Sequence, residues 1–182
     1  EASDAFESSM PMIDKSGSAG AEAMLVLATT YAKKGNLDKA LAAVRRAETL
    51  LGPDTKENAS ARALAALTEG RIQTSASNVK AGVAAFDRAL VYYRAADDAP
   101  PGALAMALNN RGLLLSDDGQ FSAAETSLSE SLTLFRKSLG ENHLSTGKAW
   151  FALVQNSFNA GNLKRARQRI ANAAAMRQDQ VA

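Results

Sequence analysis

The stretch that decides the fold is residues 107–143, ALNNRGLLLSDDGQFSAAETSLSESLTLFRKSLGENH. Two segments rich in helix-forming residues flank the polar sequence DDGQ at residues 117–120. In the second segment, Ala124, Leu128 and Ser131 follow one another at spacings of four and three residues, which places them on one face of an α-helix. Glycine ends helices in the left-handed conformation, so residues 117–120 form a turn. The stretch therefore predicts a helix, a short turn and a second helix.

The same pattern occurs four times, at an interval of 42 residues. Three columns of the repeat keep their residue size in the four copies. The turn column holds Gly35, Ser77, Gly119 and Gly161. The column of tiny residues holds Ala40, Gly82, Ala124 and Ala166, and the bulky column holds Val44, Phe86, Leu128 and Ile170. We expect the tiny residues to let the two helices of a hairpin cross closely, and the bulky residues to fill the space between hairpins.

These columns predict an all-α chain of four helical hairpins. The predicted helices span residues 20–34, 37–51, 56–75, 79–97, 102–117, 121–139, 143–160 and 163–178. We divide the array, residues 20–178, into repeats at about 20–55, 56–101, 102–142 and 143–178. Residues 1–19 form an N-terminal segment that we interpret as the remnant of a preceding helix, because Ala2 and Ala5 stand one period before Val44 and Ala47. Residues 179–182 are a C-terminal tail.

Composition excludes several classes of function. The chain of 182 residues has 21 basic and 19 acidic side chains, too even a balance for an electrostatic nucleic-acid binder. It contains no cysteine and one histidine, His143, which we interpret as a residue that starts a helix. We therefore predict no enzyme activity, no metal and no cofactor. The apolar runs are too short for membrane insertion, so we expect a soluble protein, cytoplasmic or exported.

The small, bulky, small pattern of Ala124, Leu128 and Ser131 resembles the tetratricopeptide repeat. The 42-residue interval is similar to that of the long repeat variant in kinesin light chains. This resemblance implies a right-handed α-α superhelix whose inner groove, lined by the first helix of each hairpin, binds another protein. It thus predicts a non-catalytic scaffold. The chain departs from the pattern at residues 75–77, where Ser-Ala-Ser replaces a glycine turn.

The resemblance also predicts which side chains face the groove. The expected partner-binding residues are Asn110, Asn109, Arg71, Lys148, Gln155, Lys33 and Phe151. We favour Asn110 most, because its amide both donates and accepts hydrogen bonds and can hold a peptide backbone. Arg71 and Lys148 indicate an acidic or C-terminal segment as the partner.

Two alternatives to a binding scaffold stay open. The chain could be a structural module that self-associates through exposed terminal helices, or a regulatory fragment of a longer multidomain protein. A separate expectation concerns Glu69 and Arg111, which share a column with the apolar Leu27 and Leu153. An unpaired charge at such a position is costly, so we predict that Glu69 and Arg111 pair across adjacent helices.

Overall fold

The computed structural model describes the backbone of residues 17–178 and the side chains of residues 17–172. These residues form eight α-helices and no strand, so the predicted all-α repeat fold class is confirmed. The helices are α1 Gly17–Lys33, α2 Leu37–Leu50, α3 Ala59–Ser75, α4 Val79–Ala95, α5 Ala103–Asp117, α6 Phe121–Leu139, α7 Leu144–Asn159 and α8 Leu163–Gln178. Each helix end lies within three residues of its predicted position. Of the N-terminal segment predicted at residues 1–19, residues 17–19 belong to α1. Residues 1–16 of that segment and the tail at residues 179–182 lie outside the described residues.

The chain forms two compact units, Glu1–Ala99 and Pro100–Ala182. Unit one contains the hairpins α1–α2 and α3–α4, and unit two contains the hairpins α5–α6 and α7–α8. The packing inside the two units follows one scheme. The first helices of the two hairpins contact each other, and the second helix of the first hairpin contacts the first helix of the next hairpin.

Each hairpin turn closes through the same backbone hydrogen bond. The N–H after the turn residue donates to the carbonyl five residues earlier, as from Asn36 to Tyr31 at 2.9 Å, and the bond recurs in the other three turns. The turn residue needs a positive φ, which is 77° at Gly35 and 56° at Ser77. Serine tolerates this conformation less well than glycine. The asparagine after the turn caps the next helix only at Asn162, whose Oδ1 accepts from the Arg165 N–H at 3.0 Å.

The tiny and bulky columns are buried in the first three hairpins, but the bulky residues Phe86 and Leu128 pack against the first helix of their own hairpin, and not only between hairpins as predicted. Ala40 and Ala124 are completely buried. Leu128 lies against Gly112 of the first helix so closely that a Cβ there would come within 2.6 Å of the Leu128 Cγ. Phe86 covers Gly70 in the same way. A bulky side chain on one helix thus fits over a residue without a side chain on the other, and this fit brings the two helices together.

Candidate binding groove

Unit two contains a groove of about 900 Å³. Its walls come from α5, α7 and α8 and from the turn before α7, and we call it the unit-two groove. Apolar side chains on its walls are Leu113, Leu144, Trp150, Phe151, Ala152, Val154 and Ile170. Polar residues and glycine complete the lining: Asn109, Glu141, Asn142, His143, Gly147, Lys148 and Gln155.

Two large apolar side chains of this groove are exposed although their repeat columns are buried elsewhere. Phe151 is 68% exposed, whereas Leu25 and Leu67 of the same column are 5% and 1% exposed. Ile170 is 56% exposed, so the prediction that it fills an interior position is wrong. In the earlier hairpins such positions face a neighbouring helix, and the structure describes no helix beyond α8. The groove is therefore a packing surface of the repeat that no described helix covers.

The charge in the groove is positive. Lys148 is exposed and has no ion-pair partner among the described residues. Glu141 also lines the groove, but its carboxylate pairs with Arg136 at 2.7 Å. The Arg136 guanidinium lies over the Trp150 ring, 4.9 Å from its centre. Because Glu141 is already neutralised, the ammonium of Lys148 is the charge that a ligand would meet.

Asn109 contributes a polar atom that lacks a partner. The residue lies on α5 and lines the unit-two groove. Its Oδ1 atom is buried and accepts no hydrogen bond in the described structure. A buried acceptor without a donor costs about 1–3 kcal/mol. Because this oxygen is enclosed by the protein, the Asn109 side chain can offer a ligand only its Nδ2 group, as a hydrogen-bond donor.

The structure groups four of the seven predicted binding residues. Asn109, Lys148, Phe151 and Gln155 line one groove. Asn110, the residue most favoured from the sequence, is half-buried and does not line it. Lys33 and Arg71 are exposed on α1 and α3 of unit one. Sequence reasoning missed Trp150, Leu144 and Ile170, because helical periodicity alone assigns a bulky repeat position to the core.

His143 starts a helix, as predicted. It is the N-cap of α7, and its Nδ1 atom accepts a hydrogen bond from the Ser145 N–H at 3.1 Å. The cap satisfies one of the free N–H groups of the first turn.

A polar cluster attaches α8 to the rest of unit two. Arg169 on α8 donates to the Leu153 carbonyl of α7 at 2.7 Å and also binds the Ser157 hydroxyl and the Glu125 carboxylate of α6. We call Arg169, Glu125 and Ser157 the Arg169 clamp. Burial raises the pKa of the Glu125 carboxyl, but the hydrogen bond and charge of Arg169 lower it by more, so that the pKa lies below its ordinary value. Glu125 is therefore a carboxylate at neutral pH.

In unit one, Glu69 has a partner on its own hairpin. Its carboxylate accepts a hydrogen bond from Arg88 of α4 at 2.7 Å, and Arg88 also reaches Glu48 at 3.0 Å. In unit two, Arg111 donates to the Ser127 hydroxyl at 2.7 Å. The expected pair between Glu69 and Arg111 would join the two units, and it stays a prediction.

The part of the chain that the structure describes has neither a cluster of metal-ligating side chains nor a helix that could span a membrane. Among residues 17–178, no three His, Cys, Asp or Glu side chains come together in a way that could hold a metal ion. None of the helices in that range is both long and apolar enough to cross a bilayer.

Comparison with known families gives two matches, both to models described as tetratricopeptide repeat. One spans residues 103–179 and the other spans residues 21–50, so together they cover more than half of the chain. The chain belongs to the tetratricopeptide repeat family. Repeats of this family generally mediate protein–protein interaction, and their proteins are typically non-catalytic scaffolds. No curated protein matches the sequence at a significant level.

Solved structures of related shape support the fold. BtubC (BKLC) from P. vanneervenii superposes with a TM-score of 0.74 at 18% identity, over 89% of this chain and 65% of BtubC. A P. anserina protein, named for kinesin light chain and for its nearly identical TPR-like repeats, gives a TM-score of 0.73 at 13% identity. That superposition covers 87% of this chain and 75% of the other. At these identities the likeness shows the fold alone, and this chain spans less than two thirds of BtubC.

Proposed function

We propose that this tetratricopeptide repeat chain is a non-catalytic scaffold that holds a protein or peptide segment in the unit-two groove. The observation that carries the proposal is the combination of exposed apolar side chains, Phe151 and Ile170, with an ammonium group, Lys148, that has no acidic partner among the described residues. Apolar contact supplies most of the free energy of binding in such sites. The ammonium group and the side-chain amides of the groove then determine which ligands bind.

The chemistry of the groove favours an acidic segment or a C-terminal carboxylate. Lys148 would pair with a ligand carboxylate at the edge of the apolar wall. The Gln155 amide would bind the ligand backbone as both donor and acceptor, and the Nδ2 group of Asn109 would donate to it. Lys33 and Arg71 stay candidate contacts in unit one, separate from this groove.

The proposal is tested by identifying proteins that co-purify with the wild-type chain and repeating the capture with groove variants. Lys148→Glu and Phe151→Ser should lose the partner. Lys80→Glu and Val91→Ser are matched controls in unit one, because Lys80 and Val91 are also exposed, and both should retain it. A partner retained by both groove variants would place the binding surface elsewhere.

The two neighbouring asparagines sharpen the same test. Asn109→Ala should weaken binding of an identified partner by about 1–3 kcal/mol, the usual cost of losing a buried polar contact. Asn110→Ala should have a smaller effect, because Asn110 does not line the groove. Isothermal titration calorimetry measures both. A larger loss at Asn110 would mean that the ligand lies on the other side of α5.

A further inference from the structure

The last hairpin differs in charge from the rest of the chain. Residues 144–178 contain six basic side chains and no acidic one. The basic residues are Lys148, Lys164, Arg165, Arg167, Arg169 and Arg177. The whole chain is nearly balanced, with 21 basic and 19 acidic residues, so the excess is local. Arg169 is paired with Glu125, and the exposed Lys148, Lys164, Arg165 and Arg167 leave the described part of the hairpin with a positive charge that attracts an acidic partner.

The same hairpin exposes large apolar side chains. Leu144, Phe151 and Ile170 line the unit-two groove and are each more than half exposed. Val154 occupies the column that holds Gly70 and Gly112 in the second and third hairpins. Without glycine at this position, the bulky residue has no room to pack against the first helix of the hairpin. The side chain of Ile170 therefore remains exposed to solvent. A ligand for this surface needs both apolar and acidic side chains.

One segment of the chain has this composition. Residues 1–16, EASDAFESSMPMIDKS, carry four acidic side chains and one lysine. Between the acidic residues stand apolar ones, among them Phe6, Met10, Met12 and Ile13. The segment lies outside the described residues.

We infer that the unit-two groove binds residues 1–16 of a second copy of this chain. The inference rests on the proposed function, because it names an occupant for the same groove. Phe6 and the methionines would cover Phe151 and Ile170, and the acidic side chains would face Lys148 at the groove. The two surfaces of this contact differ, because one copy contributes residues 1–16 and the other contributes the groove. Each copy can therefore bind one neighbour through its segment and another through its groove, and assembly proceeds head to tail.

The first experiment measures self-association of the full chain. Sedimentation velocity over a range of protein concentrations should show association that weakens as salt is raised, because the charges of the contact are exposed. Ile170→Asp should weaken association at least ten-fold. Val91→Asp changes an equally exposed apolar residue in unit one and should leave association unchanged. Circular dichroism checks that both variants keep the wild-type helix content.

The second experiment uses the segment itself as the probe. A labelled peptide of residues 1–16 should bind the full chain in a fluorescence anisotropy titration and should reduce self-association. A peptide in which Glu1, Asp4, Glu7 and Asp14 are replaced by their amides should bind at least ten-fold more weakly. Binding that is indifferent to this replacement, or equal for Ile170→Asp and Val91→Asp, would overturn the inference.

The outcomes separate this inference from the proposed function. A full chain that is monomeric at all concentrations and does not bind the peptide overturns the inference alone, provided that another protein still depends on Lys148 and Phe151. A groove that binds a nucleic acid instead of any protein or peptide overturns both proposals. Self-association and partner capture that both survive the groove variants overturn the two proposals together.

Discussion

The third and fourth hairpins lie in the same unit and share one repeat, but different interactions hold them together. In α5–α6, Leu128 is 0% exposed and covers Gly112. In α7–α8, the corresponding residues are Ile170, which is 56% exposed, and Val154. Apolar packing therefore helps to join the helices of the third hairpin, together with hydrogen bonds from Arg111 to Ser127 and from Ser131 to the Ala105 carbonyl.

The fourth hairpin relies on the Arg169 clamp instead. Arg169 stands in the column that holds Ser127 in the third hairpin, and it binds side chains or backbone of α6 and α7. A polar clamp holds α8 in place without using its large apolar side chains. A repeat chain can thus keep its helical architecture while its large apolar side chains remain exposed and available to bind a ligand.

The largest expected difference between the hairpins is at the bulky column. Leu128→Ala should lower the free energy of unfolding by about 2–5 kcal/mol, because it opens a cavity in a closed core. Ile170→Ala should cost less than about 1 kcal/mol, because most of that side chain is already in contact with solvent. Urea denaturation of the two variants measures this difference. Equal losses would mean that α8 depends on Ile170 as α6 depends on Leu128.

The second-largest loss of stability is expected at Gly112, the glycine that packs against Leu128. Gly112→Ala would place a Cβ 2.6 Å from the Leu128 Cγ and 3.3 Å from the Ala124 carbonyl oxygen, and should destabilise unit two by about 1–3 kcal/mol. Ala124→Leu should force the same helices apart at a similar or greater cost. Gly147→Ala is the control, because nothing lies within 4 Å of its Cβ position in α7. It should be neutral or stabilise by up to about 1 kcal/mol.

The Arg169 clamp is tested by Arg169→Met, which keeps an apolar stem but removes the guanidinium. We expect a loss of about 1–3 kcal/mol at pH 7, the cost of leaving hydrogen-bonding groups without a partner. The folded-state pKa of Glu125 is lowered, so its contribution is present above the unfolded pKa and is lost as the pH falls through the folded value. The difference between wild type and variant should therefore shrink as the pH falls below about 4. A constant difference over that range would show that Glu125 does not take part in the clamp.

The smallest effect is expected in a hairpin turn. Ser77 holds a φ of 56° where the other three turns have glycine, and no atom lies near the corresponding Cβ position of Gly119. Ser77→Gly should stabilise unit one by about 0.5–1 kcal/mol, because glycine adopts this conformation without strain. The reciprocal change, Gly119→Ser, should destabilise unit two by a similar amount. Thermal unfolding of the two variants would contradict this account if both melted like the wild type.

The positions of the helices could be predicted because interactions between residues close in the sequence determine them. A glycine or serine after each first helix ends it through a left-handed residue, and the 3.6-residue period identifies the face that packs. For this reason the predicted helix ends agree closely with the structure, and His143 was recognised as a helix start.

The candidate groove was only partly predictable. The resemblance placed the first helices on the binding surface, and four residues predicted on that basis line the candidate groove: Asn109, Lys148, Phe151 and Gln155. The same reasoning favoured Asn110, which does not line it, over Asn109. Two consecutive asparagines look equivalent in a sequence. Their side chains point in directions about 100° apart around the helix, and only the packing of α5 against α7 decides which one reaches the groove.

By itself, the sequence of this protein determined four helical hairpins, their turns and the tiny and bulky columns, because backbone hydrogen bonding and side-chain size act over a few residues. Three features depend on the tertiary structure: Ile170 is exposed, Arg169 reaches Glu125 on another helix, and Lys148 lines an apolar groove of unit two with no acidic partner among the described residues. Burial and ion pairing depend on which helices become neighbours. A repeat column carries the same residue type whether or not a helix covers it, so its exposure follows from the neighbours and not from the residue.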